Sequence, residues 1–358
     1  MVRAAACLLP LAWCCAVAPL AAEVGRSAAV LWPGGARDVA LAQAWQRAGA
    51  GDAAGARSLL AGVAESEEKG LLARLLAGDD TLPAAELRFA PRAARTLLRT
   101  ARNGVPIVDA TINGVAVELG VDTGAGLSVI TESTARRVAA RSLDGPRPKV
   151  LDSLGEGVEA RLAIVDLALP GVEFRGLPVL VMRDENLSAR VLGVTLFAFD
   201  GLLGWNALGL ARVELDFDRG EMTLRPTRAP CDGRNLWSVG SKPLVEAAVD
   251  GVPTLALVDT GARRSWLVAA GGAGAEAAPE NSRLVAGASG ARVVGVRTRE
   301  DVRVAAAGRI LAMRTLDERP ARDRVPLQRA TLGMDFVGRG AAVLDRGCGE
   351  FALSPAQP

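Results

Sequence analysis

The sequence predicts a mainly β fold of two homologous lobes, preceded by a small α-helical region. Three observations carry this expectation. From about residue 103 the chain breaks into short Val-, Leu- and Ile-rich runs separated by Gly, Pro and Asp, the texture of strands and hairpins. That β region repeats itself, first at the constant offset that carries Asp122 to Asp259, then at the slightly shorter one that carries Leu203 to Leu332. Before residue 100 the apolar residues recur at helical spacing instead.

The elements follow in chain order. Arg3, the apolar run Ala4 to Ala18 and the small pair Ala21-Ala22 read as a signal peptide over 1–22. The run is shorter than the roughly 20 apolar residues that a membrane span needs; an uncleaved anchor is the alternative. The expectation is an exported chain, periplasmic or secreted, with no stable membrane insertion after cleavage. Trp13 stands before Cys14 where a lipobox wants a small residue, which speaks against lipidation. Residues 23–100 read as α-helical, with Val39, Leu41, Trp45 and Ala48, then Leu59, Leu60 and Val63, then Leu71, Leu72, Leu75 and Leu76 at helical spacing. The pattern is loosely similar to stacked tetratricopeptide hairpins, and would suit contact with a protein partner.

The two lobes are read as 101–228 and 238–356, with a linker at 229–237. Pro106-Ile107-Val108 matches Pro243-Leu244-Val245, and the tight-turn signal Asn113-Gly114 matches Asp250-Gly251. Val121-Asp122-Thr123-Gly124-Ala125 matches Val258-Asp259-Thr260-Gly261-Ala262, and Ser128 matches Ser265. At the second offset Leu203-Gly204 matches Leu332-Gly333, Leu215-Asp216 matches Leu344-Asp345, and Gly220-Glu221 matches Gly349-Glu350.

Composition excludes several chemistries. The 358 residues are half hydrophobic, enough for two or three compact units. Forty-two basic residues against 40 acidic leave no strongly charged surface for nucleic acid. There is no histidine, which removes Ser-His-Asp and Cys-His hydrolases and HExxH zinc sites. Acid–base work then falls to carboxylates, Lys or Cys. Signal cleavage leaves two cysteines, Cys231 and Cys348. An oxidising compartment favours a disulfide between them; two inert buried thiols are the alternative.

The remaining carboxylates are arranged for chemistry. Each lobe carries Asp-Thr-Gly-Ala directly after an apolar strand, so that the strand aims a carboxylate and Gly124 or Gly261 permits the sharp turn. One such tetrapeptide is weak evidence, since these residues fill ordinary turns. Two copies in matching positions of a repeat would meet at a pseudo-two-fold axis.

These motifs, with Leu202-Leu203-Gly204-Trp205-Asn206 and Thr331-Leu332-Gly333-Met334-Asp335 downstream, make the chain resemble a retropepsin-like aspartic peptidase whose two halves are fused as in pepsin-like enzymes. The resemblance covers residues 101–356. It implies two β-barrel lobes with a catalytic cleft between them, and a peptide or unfolded protein as substrate. Asp122 and Asp259 would share one proton and activate a water, with no covalent intermediate, metal or cofactor. Thr123 and Thr260 would bond across the lobe interface; Gly124, Ala125, Gly261 and Ala262 would complete the catalytic loops. Leu203, Gly204, Leu332 and Gly333 would brace those loops from behind. With both motifs in one chain, a monomer suffices. There is no flap tyrosine, because the chain has none. The candidate flaps are the turns at Gly155 and Gly157 and at Gly287 and Gly290, with plain exposed turns as the alternative. Arg263-Arg264 follows the second motif where the first has Gly126-Leu127. A non-catalytic peptide-binding module on the same fold, and a helical adaptor with an auxiliary peptidase domain, remain the competing functional readings.

Overall fold

The computed structural model describes residues 44, 47, 53–63, 69, 73, 85–90, 94–143, 149–151, 157–191, 194–228, 231, 235–239, 242–268, 281–287, 290–319 and 328–354. The signal-peptide expectation, most of the helical one and Gly155 lie outside these residues. Within 23–100 one helix is described, Ala53–Leu60.

The fold is mainly β, and the strand order explains the repeat. In the first lobe, strands run Val172–Met182, Ser128–Thr131, Gly201–Leu203, Val115–Val121, Pro106–Ile112 and Arg161–Leu169, and the last pairs back onto the first. That closes a barrel. In the second lobe the order is Arg309–Arg319, Trp266–Val268, Gln328–Leu332, Val252–Val258, Lys242–Val249 and Gly290–Ala306, closed in the same way. The hairpin register agrees as well: Ile107 faces Gly120, and their counterparts Leu244 and Leu257 face each other. The turns are left-handed at Asn113-Gly114 and at Asp250-Gly251, as two-residue hairpins require.

A five-stranded antiparallel sheet joins the lobes in the order Ala94–Leu97, Glu221–Pro226, Ala211–Asp216, Ala341–Asp345 and Glu350–Leu353. At its middle Arg212 faces Asp345, Asp216 faces Ala341, and Glu214 faces Val343. Glu214 and Val343 are themselves counterparts at the second offset, so the pseudo-two-fold axis passes between them. One continuous apolar core runs from both barrels into this sheet through Trp205, Leu215, Met222, Phe336, Leu344 and Phe351.

Two expectations are corrected. Residues 86–89, 94–97 and 99–100 are strands, not helix: Glu86–Phe89 pairs with Val172–Arg175, Ala94–Leu97 with Glu221–Leu224, and Arg99–Thr100 with Pro106-Ile107. Exposed strand edges in the lobe and the central sheet offer these segments backbone partners, and that tertiary demand overrides a weak helical pattern. The first lobe therefore starts before residue 101. Likewise Leu236 and Trp237 lie not in a linker but in strand Leu236–Val239, which pairs with Lys242–Val245. The amide of Leu98 bonds the carbonyl of Gly220, and the amides of Asn235 and Leu236 bond that of Gly349, so both lobes open on equivalent segments.

Cys231 and Cys348 form a disulfide. Nearby, Asp345, Cys348 and Glu350 lie close enough together to suggest a metal site. The Cys348 sulfur is spent in the disulfide, however, and Glu350 is ion-paired with Arg212 and Arg228 while Asp345 accepts from Thr227 and the amide of Cys348. The trio is a charge network, not a ligand set. No helix among the described residues is long and apolar enough to cross a membrane.

Candidate active site

Strands Val115–Val121 and Val252–Val258 each end directly before an aspartate, so Asp122 and Asp259 emerge where the two barrels face each other. The turns that follow are locked reciprocally. The Thr123 hydroxyl donates to the Val258 carbonyl (2.6 Å) and accepts from the Thr260 amide (3.1 Å). The Thr260 hydroxyl donates to the Val121 carbonyl (2.6 Å) and accepts from the Thr123 amide (3.1 Å). Both threonines are buried, so all four bonds are shielded from water and hold the two turns in one geometry.

The glycines permit a contact that no other residue would. A Cβ added to Gly124 would lie 2.4 Å from the Asp259 carboxyl carbon, and one added to Gly261 would lie 2.6 Å from that of Asp122. Each carboxyl group is packed against the opposite lobe's turn. Asp122 accepts from the amides of Gly124 (2.9 Å) and Ala125 (3.1 Å), and Asp259 from that of Ala262 (3.0 Å). The alanine side chains supply no donor.

Burial raises both carboxyl pKa values above the usual range. For Asp259 the negative charge of Asp122 pushes the same way. The loop amides and the ammonium of Lys242 oppose the rise at both groups without cancelling it. Two carboxyls so close cannot both ionise easily, so the pair holds one proton over a wide pH range.

Behind the turns lies a brace. The amides of Asp122 and Asp259 donate to the carbonyls of Leu203 and Leu332 (both 3.0 Å). Those of Trp205 and Met334 donate to Ala125 and Ala262 (both 2.8 Å). Gly204 and Gly333 leave no room for a side chain, since a Cβ there would come within 2.7 and 2.6 Å of the loop backbone. A latch not expected from sequence completes it. Ser128 donates through its amide (2.7 Å) and hydroxyl (2.8 Å) to the Asn206 side-chain oxygen, and accepts from Gly204 (3.0 Å). Ser265 does the same with Asp335 (2.7 and 2.6 Å) and Gly333 (3.0 Å). The repeated Ser128 and Ser265 were the signal that could have revealed it.

Other sequence-derived candidates sort as follows. Gly157 begins a strand, Gly157–Glu159, that pairs with Lys149–Leu151; Gly287 and Gly290 face each other at the end of the Asn281–Gly287 hairpin. The first hairpin precedes the barrel strand Arg161–Leu169, and the second runs directly into the barrel strand Gly290–Ala306. Arg263 and Arg264 are exposed; the cation among the main causes of the carboxyl shifts is Lys242, which sequence reasoning passed over.

Residues 108–207 match the family model described as aspartyl protease. That stretch contains the first motif, its brace and its latch. Among solved structures, a retropepsin-like aspartic protease from Rickettsia conorii is similar over 40% of this chain and 95% of its own, at 18% identity and a TM-score of 0.26. No curated protein matches the chain. The stretch similar to aspartyl proteases thus lies within the first lobe.

Proposed function

We propose that the chain is an aspartic endopeptidase that hydrolyses peptide bonds with a water activated between Asp122 and Asp259. The observation that supports this most is the reciprocal packing of each carboxyl against the other lobe's glycine, at would-be Cβ distances of 2.4 and 2.6 Å. An isolated turn aspartate has no reason to exclude a methyl group from its neighbour.

The ionised member takes a proton from the water as its oxygen adds to the peptide carbonyl carbon. The protonated member hydrogen-bonds the carbonyl oxygen as charge develops there. Collapse of the tetrahedral diol breaks the C–N bond, and a proton passes to the departing nitrogen. The products are a carboxylic acid and an amine, the enzyme's single shared proton is restored, and no bond to the protein forms. The Thr123–Thr260 lock keeps the carboxyls in place through these exchanges, so little reorganisation is needed.

The same reading makes the catalytic unit a monomer. The Cys231–Cys348 disulfide supports an exported, oxidising location. The helical residues of 23–100 are proposed to recruit substrate proteins.

The test is cleavage of denatured casein across pH by wild type, Asp122→Asn, Asp259→Asn and the double variant. Each single change should abolish turnover, and the double should be no worse, because the two groups act as a unit. Near-normal turnover by either single variant would sink the shared-proton mechanism. Specific activity that collapses on dilution of folded protein would contradict the monomer.

A further inference from the structure

The backbone around the carboxyl pair obeys the two-fold relation, but the side chains that follow it do not. A Cβ on Gly204 would meet the Leu127 carbonyl carbon at 2.7 Å and the Ala125 oxygen at 2.8 Å; one on Gly333 would meet those of Arg264 and Ala262 at 2.6 and 2.7 Å. Leu127 and Arg264 therefore leave matching backbone points on opposite sides of the pair. Leu127 is half-buried against the apolar cluster of Val129, Val158, Leu180 and Met182, where Val158 belongs to the first-lobe hairpin. Arg264 is exposed.

The preceding position differs in the same sense. Gly126 in the first lobe becomes exposed Arg263 in the second, and its Cγ lies 3.5 Å from where a Cβ on Gly104 would be. Its stem thus reaches the first lobe across the interface. A third position, in equal hairpin register, has buried Val105 in the first lobe and Lys242 in the second. The Lys242 charge acts on both carboxyls. All three second-lobe positions are cationic, and none of the first-lobe equivalents is charged.

Several other arginines are already occupied. Arg99, Arg137, Arg212, Arg228 and Arg299 each hold a carboxylate. Neither Arg263 nor Arg264 has an ion-pair partner among the described residues. A planar guanidinium fork left open beside a reactive centre suits a carboxylate brought by the ligand.

We infer that Arg263 and Arg264 form a subsite for an acidic side chain of an extended peptide, opposite a first-lobe subsite at Leu127 that takes an apolar side chain. This rests on the peptidase reading above. The favoured substrate has Asp or Glu on one side of the cleaved bond, within about three residues at the roughly 3.3 Å advance of an extended chain, and an apolar residue on the other.

The test is a set of peptide pairs identical except for Glu or Gln at each position within about three residues of the bond, assayed at pH 6, where the free glutamate is ionised. At one position kcat/KM should favour Glu by about fivefold to tenfold at low salt, and the preference should shrink as salt rises. Arg263→Gly with Arg264→Leu, which installs the first-lobe residues, should bring the ratio to about one; if that variant does not fold, Arg264→Gln reads the same ratio. Equal rates for Glu and Gln at every position overturn the inference, and so does a preference that survives in the arginine variants. If no peptide is cut, fluorescence anisotropy of the same pairs on the folded protein decides. Glu-selective binding lost in the arginine variants sustains the subsite while sinking the peptidase reading. Unselective binding, or none, overturns the subsite too.

Discussion

The two lobes share a backbone plan and differ in where they put charge. In the first lobe Asp109 faces Glu118, and Arg99 neutralises both at 2.5 and 3.1 Å. In the second, Glu246 occupies the place of Asp109 and faces Leu255, and Leu236 is the counterpart of Arg99. Glu246 has no ion-pair partner among the described residues, and desolvation pushes its pKa up to about 7. Around the carboxyl pair the imbalance reverses, since Lys242, Arg263 and Arg264 of the second lobe stand where the first has Val105, Gly126 and Leu127. The comparison teaches that the elements fixing the carboxyls, the Thr123–Thr260 lock and the two braces, are kept the same in both lobes, while their surroundings have been free to diverge.

The largest expected effect tests the shared plan. Gly124→Ala and Gly261→Ala should each lower kcat by about a thousandfold or more, because a misplaced catalytic group loses most of its orientation advantage. The two losses should agree within about tenfold. A single-turnover assay on both variants checks this, and a mild effect in one lobe alone would break the symmetry of the site.

The next is confined to the second lobe, which alone carries a disulfide. Cys231→Ser with Cys348→Ser removes a cross-link between residues 117 apart in sequence, and should destabilise by about 2–4 kcal/mol. Urea unfolding of the two forms measures it; an unchanged midpoint would mean that the Asp345–Glu350 network holds this corner unaided.

Lys242→Val copies the first-lobe residue. Its ammonium favours the ionised form of both carboxyls, so its removal should move both limbs of the kcat/KM profile to higher pH. Movement to lower pH would show that the ammonium acts elsewhere.

The smallest effect is at Glu246. Its folded pKa is raised, so it binds a proton more readily in the folded state. It therefore costs stability progressively as pH rises from its ordinary value near 4.5 toward 7. Discounted for its partial exposure, the cost above that window is about 1 kcal/mol. Glu246→Gln should raise the melting temperature at pH 8 and have little effect at pH 4. The same gain at both pH values would remove ionisation as its cause.

Much of this architecture was legible in the sequence, and the reason is the duplication. Val121 to Ala125 and Val258 to Ala262 stand at one offset, so the aspartates, their glycines and the two β lobes could be placed together from the repeat, while the barrels were implied by the family resemblance. What escaped had no local signature. Glu86–Phe89, Ala94–Leu97 and Arg99–Thr100 are strands because edges elsewhere in the chain pair with them. Lys242 lies a whole hairpin before Asp259 in sequence, and only the register of that hairpin brings it near the pair. Asn206 and Asp335 read as parts of a brace, whereas their role lies in bonds to serines far from them along the chain.

The ladder between Ala211–Asp216 and Ala341–Asp345, centred on Glu214 and Val343, is the seam between two homologous halves of one chain. In an assembly of two identical chains, every substitution is written twice, and an arginine set beside one aspartate is set beside the other. Joining the halves in one chain ends that coupling. It also holds the second half at a high effective concentration, so that each half need not preserve a self-complementary face. Mutation can then act on one wall of the cleft at a time. A substrate chain has a direction, and a cleft able to change one wall alone can come to read it.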